Sequence, residues 1–317
     1  RIRSRIIVPM SAEFQKIDAL LRELMYRTAR LLTELDAPAP DDRILRMGEL
    51  KAMRRMIESE TRIDQDHFRR LSLHARYCKL RYARYASLSE CFEAFGEFVG
   101  KLVAQAAVST AQRTESKAAS WILANELFRD TCEIIRNASH AKLEMTLENT
   151  CSWTSAGKRG LVYAARVPTV GAIVAALRRR NIRAHGVCGS THMSLAEQVE
   201  AIRIFREGGY QALVATETLA ESVNVPEFDV VTFHSPVWRR IDRAQWEGRT
   251  ARVRPGMVIS ITLDEEEERI LYHATEIRER SPGARGLALD APPAQIRRAR
   301  HRRDTFTPDL FAPPPAP

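Results

Sequence analysis

The sequence predicts an α/β protein in which an all-helical region precedes a parallel β-sheet flanked by helices. Apolar residues recur at helical spacing through residues 1–150. From residue 151, short apolar runs alternate with amphipathic stretches, which is typical of a parallel sheet covered on both faces. The 317 residues, 44% of them hydrophobic, suffice for about two domains.

The helical region can be divided by its capping and breaking residues. A short apolar run at residues 5–8 could end a strand, and Pro9 stops it. Ser11 is a candidate N-cap for a helix that ends near residue 35, and a Pro-containing linker follows at residues 37–40. Further helices are predicted at 42–58, 64–85, 87–107 and 116–140.

In the second region, strands and helices alternate to residue 280. Strands are predicted at 161–163, 184–187, 212–215, 230–233 and 257–263, and helices at 168–180, 194–207, 240–247 and 264–280. The basic, Pro-rich residues 282–317 are predicted to be a disordered tail.

Charge and cysteine content narrow the function classes. The net charge is +9 and the pI is about 9.6, which favours nucleic acid over a membrane surface as the anionic partner, because no long basic helix carries a strong apolar face. No apolar run approaches the ~20 residues of a membrane span. Five cysteines without C-x-x-C spacing indicate neither disulfides nor zinc, and His74 with Cys78 would be two ligands short of a closed site. A reduced, cytoplasmic setting is predicted, with no metal site.

The segment 245–252, Gln-Trp-Glu-Gly-Arg-Thr-Ala-Arg, carries the most informative chemistry. Arg249 and Arg252 are three residues apart, within one helical turn, and Gly248 permits close backbone packing. Guanidinium groups match phosphate oxygens and keep their charge, so this pair suits a phosphate chain. Taken alone, the segment could also be a solvated basic face.

This segment resembles helicase motif VI, Q-x-x-G-R-x-G-R, and departs from it at Ala251. Residues 215–216 with 225–226 resemble motif V, residues 157–166 resemble motif IV, and residues 205–208 resemble the F-x-x-G that ends the helix before motif V. The order and spacing identify the chain as similar to the second RecA-like domain of superfamily-2 helicases.

The helical insert before that domain makes the chain most similar to archaeal Hef helicase–nucleases and Fanconi anaemia M translocases, and more distantly to RIG-I-like proteins. The resemblance implies a strand and helix at 1–40 that follow a first RecA-like domain, a thumb-like insert at 41–150, the second RecA-like domain at 151–281, and the tail. Residues 5–8 would be the last element of that first domain.

The resemblance also implies residue roles. Arg249 and Arg252 would reach the β- and γ-phosphates of ATP, with Gln245 beside the γ-phosphate or the attacking water. Gly248 and Asn224 would complete the nucleotide contacts. The remaining implied contacts, to the nucleic-acid backbone, fall on Thr216, Ser190 and Arg166. Asn224 replaces the family's aspartate, and Leu219 and Ser222 replace its glycines, which puts ATP coupling in doubt.

No P-loop is found in the sequence, since the Gly157-Lys158 pair lacks the flanking glycine and hydroxyl residue. ATP and Mg²⁺ would therefore be held mainly by a first RecA-like domain, in the same chain or another. The apolar run 257–263 followed by acidic residues could imitate a magnesium site. We favour a helix N-terminus there, with Asp264 as the cap and Arg278 and Arg280 at the other end.

Within the insert, residues 67–89 contain no acidic residue. Tyr77 is expected in the core, and the interleaved basic and aromatic residues favour gripping of a duplex or branched nucleic acid, although a solvated face is the alternative. Trp121 and Trp153 are expected in the core, and Trp246 could lie in the cleft or the core. Five basic residues are predicted to contact the nucleic-acid backbone: Arg69, Arg70, Arg76, Lys79 and Arg81. Of these, Arg69, Arg76 and Lys79 are expected on the outer face of the helix.

The sequence therefore predicts the C-terminal motor half of an ATP-dependent helicase or translocase. The Hef resemblance favours DNA, branched or forked, and the RIG-I-like layout leaves RNA open. The alternative is a catalytically inactive nucleic-acid-binding or regulatory module that keeps the fold.

Overall fold

The structure, a computed structural model, describes residues 2–35, 44–45, 47–61, 63–108, 113–217, 228–237 and 256–265, with positions 243, 247, 268, 269 and 272. The helical elements in it are α1 (Ala12–Thr33), α2 (Met47–Glu58), α3 (Gln65–Tyr85), a π-helical segment (Ala86–Glu90), α4 (Phe92–Ala107), α5 (Arg113–Ala124), α6 (Glu126–Asn137), α7 (Ala141–Ser155), α8 (Val167–Arg179) and α9 (Leu195–Arg206). The strands are β1 (Ile2–Val8), β2 (Gly160–Tyr163), β3 (Ala184–Val187), β4 (Ala212–Ala215), β5 (Val230–Phe233) and β6 (Met257–Leu263). The predicted tail lies outside the described residues.

One six-stranded parallel sheet forms the second region, in the order β1-β6-β5-β2-β4-β3. The predicted α/β class, with a parallel sheet flanked by helices and a helical region before it, is confirmed. The central strands are buried on both faces, which explains why their apolar runs are continuous in the sequence.

Strand β1 occupies one edge of this sheet and corrects one expectation. It pairs in parallel with β6, with Ile2 opposite Met257 and Val8 opposite Leu263. Residues 5–8 are thus part of this sheet and not the last element of a preceding domain. A strand's apolar pattern predicts that it pairs, but does not say with which sheet. The helical region is therefore inserted after the first strand of the sheet.

The helical region is built around α3, which packs against α1, α2 and α5. Ser11 caps α1 as predicted, with its Oγ accepting from the Phe14 N–H at 3.2 Å. The helix predicted at 116–140 is instead two helices, because the Asn125 side chain caps α6 by accepting from the Leu127 N–H. Trp153 is buried at 4% exposure, as predicted, whereas Trp121 is partly buried at the edge of the core.

Helix α7 crosses the predicted domain boundary at residue 150 and packs on β1, β5 and β6. Thr146, Thr150 and Thr154 are buried along one face, and each hydroxyl approaches the carbonyl four residues earlier at 2.8–2.9 Å. The Thr150 and Thr154 hydroxyls are satisfied within the helix. The single proton of the Thr146 hydroxyl has a second acceptor, His234 Nδ1, at 2.7 Å. The position of the boundary remains a prediction.

The π-helical segment joins the insert to the sheet. A π-helix leaves the i→i+4 pattern, and three of its buried carbonyls are reached by side chains from the start of α7 and from the end of β5. These contacts are Ser87 O with His140 Nε2 at 3.2 Å, Ser89 O with Lys142 Nζ at 3.1 Å, and Glu90 O with His234 Nε2 at 2.7 Å. We call this set of contacts the junction.

Both junction histidines are neutral. Burial lowers the pKa of His140 to about 3 and holds that of His234 well below its usual value. Since a carbonyl only accepts, each Nε2 must carry the proton and donate it. The Thr146 hydroxyl then donates to His234 Nδ1 at 2.7 Å.

The acidic run after β6 also holds the insert against the sheet. Glu268 pairs with Lys142 at 2.6 Å, and Glu265 pairs with Arg84 of α3 and with Arg22 of α1 at 3.4 Å. Glu265, and not the exposed Asp264, supplies the cap, since its carboxylate accepts from the Glu268 N–H at 3.1 Å. The expected Asp264 cap is therefore wrong, because Asp264 faces solvent while Glu265 faces the interior; Arg278 and Arg280 lie outside the described residues.

Candidate nucleotide and nucleic-acid interface

The carboxyl ends of β2, β4 and β3 meet at one edge of the sheet. Tyr163, Ala215 and Val187 lie side by side in register. Thr216 follows β4 directly, and its N–H donates to the Val187 carbonyl at 3.1 Å. Ligands of open parallel sheets bind beyond this edge, so Thr216 lies where a ligand could be contacted.

Two other predicted residues lie at the same edge. Ser190 is exposed in the loop after β3, where the His192 N–H closes a turn on the Gly189 carbonyl at 2.8 Å. Arg166 is the N-cap residue of α8, just beyond β2. The structure thus brings Thr216, Ser190 and Arg166 to one edge.

The Arg166 side chain, however, packs against the insert. Its guanidinium carbon lies 5.1 Å from the centre of the Tyr82 ring and 5.9 Å from that of Tyr85. Such cation–π contacts stabilise a charged group against an aromatic surface. Arg166 therefore contributes to the seam between the insert and the sheet.

Two basic residues of α3 that were expected on the outer face are engaged inside the insert. Lys79 is 1% exposed and donates to Gln105 at 2.7 Å while pairing with Glu115 at 2.7 Å. Arg76 lies 3.8 Å over the Trp121 ring, and burial lowers its pKa to about 10. The expected outer position of Lys79 is wrong. Arg76 is half-buried, so its expected outer position is only partly correct.

The other three basic residues differ in their surroundings. Arg81 is buried at 9% exposure, and Arg70 pairs with Glu60 at 2.7 Å. Arg69 is exposed, as predicted. The tyrosine Tyr77 is in the core, also as predicted, and its hydroxyl accepts from the Leu45 N–H at 2.8 Å.

The lack of acidic residues from 67 to 89 has a structural cause. Arg70, Lys79 and Arg84 of α3 are paired with carboxylates on neighbouring elements: Glu60 before the helix, Glu115 on α5, Asp18 on α1 and Glu265 after β6. A buried charge needs a partner, and a central helix finds its partners on the surrounding elements. The lack of acidic residues therefore marks a central helix rather than a free basic surface.

The structure describes one residue of the motif VI segment, Glu247, and also Arg243, which lies two residues before the segment begins. Glu247 is 1% exposed, and its carboxylate accepts from Arg243 Nε at 2.9 Å and from Arg3 Nη2 at 2.6 Å. The Arg243 Nη2 group also donates to Ser260 Oγ at 3.2 Å. Motif comparison gave no reason to single out Glu247, since its position is variable in Q-x-x-G-R-x-G-R.

The predicted residues Gln245, Gly248, Arg249, Arg252 and Asn224 lie outside the described residues, as do Trp246, Leu219 and Ser222. Their implied roles remain predictions.

A small cavity of about 30 Å³ lies beside this segment at the carboxyl ends of β5 and β6. Arg243, Ser260, Ser235 and Tyr272 are among the residues that line it. The Tyr272 ring lies between two guanidinium groups, 4.0 Å from that of Arg5 and 5.3 Å from that of Arg243. Arg5 of β1 and Arg243, just before the motif VI segment, therefore contact the same aromatic ring.

Among the described residues, no helix has the length and apolar character to cross a membrane.

The second region is similar in sequence to known proteins. Residues 141–254 match the family described as the helicase conserved C-terminal domain. The chain is 26% identical over 211 residues to a protein of Methanocaldococcus jannaschii named as an ATP-dependent RNA helicase, covering 64% of this chain and 26% of that protein. It is 36% identical over 85 residues to the Fanconi anemia group M protein of Gallus gallus, covering 27% of this chain and 4% of that protein.

The fold of nearly the whole chain has a counterpart in a solved structure. The crystal structure of the Pyrococcus furiosus Hef helicase domain aligns with a TM-score of 0.70 and 23% identity, over 87% of this chain and 58% of that one. The chain spans only about a quarter of the Methanocaldococcus jannaschii relative, 26%. Residues 141–254 are thus similar to helicase C-terminal domains, and the chain shares its fold with the Hef helicase domain and local sequence with Fanconi anemia group M proteins.

Proposed function

We propose that this chain is the C-terminal motor half of an ATP-dependent nucleic-acid helicase or translocase. The observation that carries the proposal is the helicase conserved C-terminal domain at residues 141–254, which includes the motif V-like and motif VI-like segments. The motor requires a first RecA-like domain that holds ATP and Mg²⁺ in its P-loop, in the same chain or a separate one.

In this proposal Arg249 and Arg252 reach the phosphates from the C-terminal half. They stabilise the negative charge that develops during phosphoryl transfer, while Gln245 orients the attacking water. Gly248 and Asn224 complete the nucleotide contacts. The burial of Glu247 supports this, because it fixes the chain directly before Gly248 and Arg249.

The proposed nucleic-acid contacts are Thr216 and Ser190 at the carboxyl edge of the sheet and Arg69 on the insert. The net charge of +9 favours a phosphate backbone as the partner. Resemblance to Hef favours DNA, branched or forked, and five cysteines without a disulfide pattern favour a cytoplasmic setting. The Methanocaldococcus jannaschii relative is named as an RNA helicase, so the binding test includes both nucleic acids.

The test uses the full-length protein together with its P-loop domain. Nucleic-acid-stimulated ATP hydrolysis is expected, and Arg252→Ala should lower turnover by roughly 10³–10⁵-fold, the effect of arginine fingers in other nucleotide hydrolases. Nucleic-acid affinity should change little. Arg179→Ala, at an exposed position near the end of α8, serves as the matched control. Undiminished turnover in Arg252→Ala would exclude the finger role.

A second candidate is a regulatory module that binds nucleic acid without driving hydrolysis. Its support is the replacement of the motif V aspartate and glycines by Asn224, Leu219 and Ser222. It predicts salt-sensitive binding and no ATPase activity with any P-loop domain. If only Asn224→Asp shows activity, this second candidate is favoured; activity in the wild-type protein excludes it.

A further inference from the structure

We propose that Glu247 is a positioning residue that fixes the arginine-bearing segment, residues 245–252, on the sheet. The inference rests on the proposed function and adds a residue to its machinery. Glu247 contacts neither phosphate nor water in this proposal; it acts by limiting where Arg249 can lie.

The first step is the geometry of the carboxylate. Its two oxygens are used separately: Oε1 accepts from Arg243 Nε at 2.9 Å, and Oε2 accepts from Arg3 Nη2 at 2.6 Å and Arg3 Nε at 3.1 Å. Arg243 lies one helical turn before Glu247, whereas Arg3 lies on β1. One buried side chain thus ties the segment to a strand that is 244 positions away in sequence.

The second step is that both cations are themselves held. Arg243 donates to Ser260 of β6 at 3.2 Å and lies 5.4 Å from the Phe233 ring of β5. Arg3 sits on β1 opposite Val258 of β6. One anchor of Glu247, Arg3, is part of the sheet, and the other, Arg243, donates to the sheet, so Glu247 is tied to the sheet from both sides.

The third step is energetic. A carboxylate with 1% exposure is stable only when its charge is compensated, and here two guanidinium groups compensate it. Moving Glu247 away from both would leave a buried carboxylate uncompensated, so large displacements of Glu247 are disfavoured. The contacts of Glu247 with the two guanidinium groups are better suited to fixing a geometry than to adding net stability to the fold.

The fourth step is covalent distance. Arg249 follows Glu247 by two residues, so their Cα atoms are at most about 7.6 Å apart. A catalytic group that is misplaced by about 1 Å can lose about 100-fold in rate. Releasing Glu247 should therefore reduce turnover without removing any group that contacts ATP.

The experiment measures steady-state ATP hydrolysis by the full-length protein with its P-loop domain, at saturating nucleic acid. Glu247→Gln keeps the shape but loses the charge, and should lower kcat by about 10–100-fold while changing the KM for ATP and the nucleic-acid Kd by less than about threefold. Arg3→Met should lower kcat in the same direction by a smaller factor. Glu23→Gln, in an exposed pair on α1, is the matched control and should leave kcat unchanged.

The outcomes separate this inference from the function on which it rests. A wild-type protein without ATPase activity overturns both. An active wild type with undiminished kcat in Glu247→Gln, or with a raised KM alone, overturns only the positioning role. If Glu247→Gln does not fold, Arg3→Met decides, because the Arg3 side chain is 41% exposed and its loss is tolerable; unchanged kcat there overturns the inference.

Discussion

Replacement of Lys142 by methionine should be among the most destabilising single substitutions in this chain. Lys142 is 0% exposed and Glu268 is 2% exposed, and their charged groups are 2.6 Å apart. Lys142 Nζ also donates to the Ser89 carbonyl at 3.1 Å. The substitution would leave the carboxylate without its cation and the carbonyl without its donor.

The magnitude follows from that geometry. Removing one partner of a buried ion pair costs about 3–5 kcal/mol, mainly through the uncompensated charge that remains. Burial already raises the pKa of Glu268, and Lys142 counteracts the increase. Adding Glu268→Gln removes the charge and keeps an oxygen for the Leu263 N–H, which now donates at 2.7 Å. The double mutant should therefore recover about 1–3 kcal/mol relative to Lys142→Met.

The assay is equilibrium unfolding in urea, followed by far-UV circular dichroism, with m-values compared between variants. Arg27→Met is the control, because the Arg27–Glu23 pair on α1 is about half exposed, with side-chain exposures of 55% and 47%. Its loss should cost less than about 0.5 kcal/mol. The reasoning is refuted if Lys142→Met costs no more than this control, or if Glu268→Gln lowers its stability further.

Three further measurements test other parts of the structure. Burial lowers the pKa values of His140 and His234, so below the unfolded histidine pKa of about 6.5 the unfolded chain binds more protons than the folded one. Each histidine should therefore lower the free energy of unfolding by about 2 kcal/mol as the pH falls from 7 to 5. His234→Gln should flatten that dependence in urea unfolding, and an unaltered slope would contradict the account. Gly160→Ala should cost about 1–3 kcal/mol, because the new Cβ would lie 2.5 Å from the Val230 carbonyl oxygen. Gly171→Ala on α8, the control, meets nothing within 4 Å and should stabilise the protein by about 0.5–1 kcal/mol. Equal thermal unfolding midpoints for the two variants would exclude the clash. Arg69→Ala should reduce the slope of log Kobs against log salt by about 1, and no change would show that Arg69 contacts no phosphate.

The sheet was predictable from the sequence because its strands are continuous apolar runs between breakers. Strands β3 to β6 begin and end where the pattern predicts, and β2 begins one residue earlier, at Gly160. The partner of β1 was not predictable, since the side-chain pattern of a strand records burial and not the identity of its neighbour.

The charged residues were harder to interpret, since a sequence does not show where a counter-ion comes from. Lys79 and Arg81 look like surface cations in a segment without acidic residues, yet the structure buries both. Glu265 and Glu268 look like a solvated helix start, yet they hold cations of the insert and of α7. The sequence did not identify Glu247 as part of an ion pair, because its partner Arg3 lies near the other end of the chain.

The junction has a mechanical consequence. Rotation of α3 and α4, which flank the Ala86–Glu90 segment, relative to α7 and β5 would strip three buried carbonyls of their donors, and each orphaned group costs about 1–3 kcal/mol. Forces too weak to supply that energy should move these helices and the sheet together as one body.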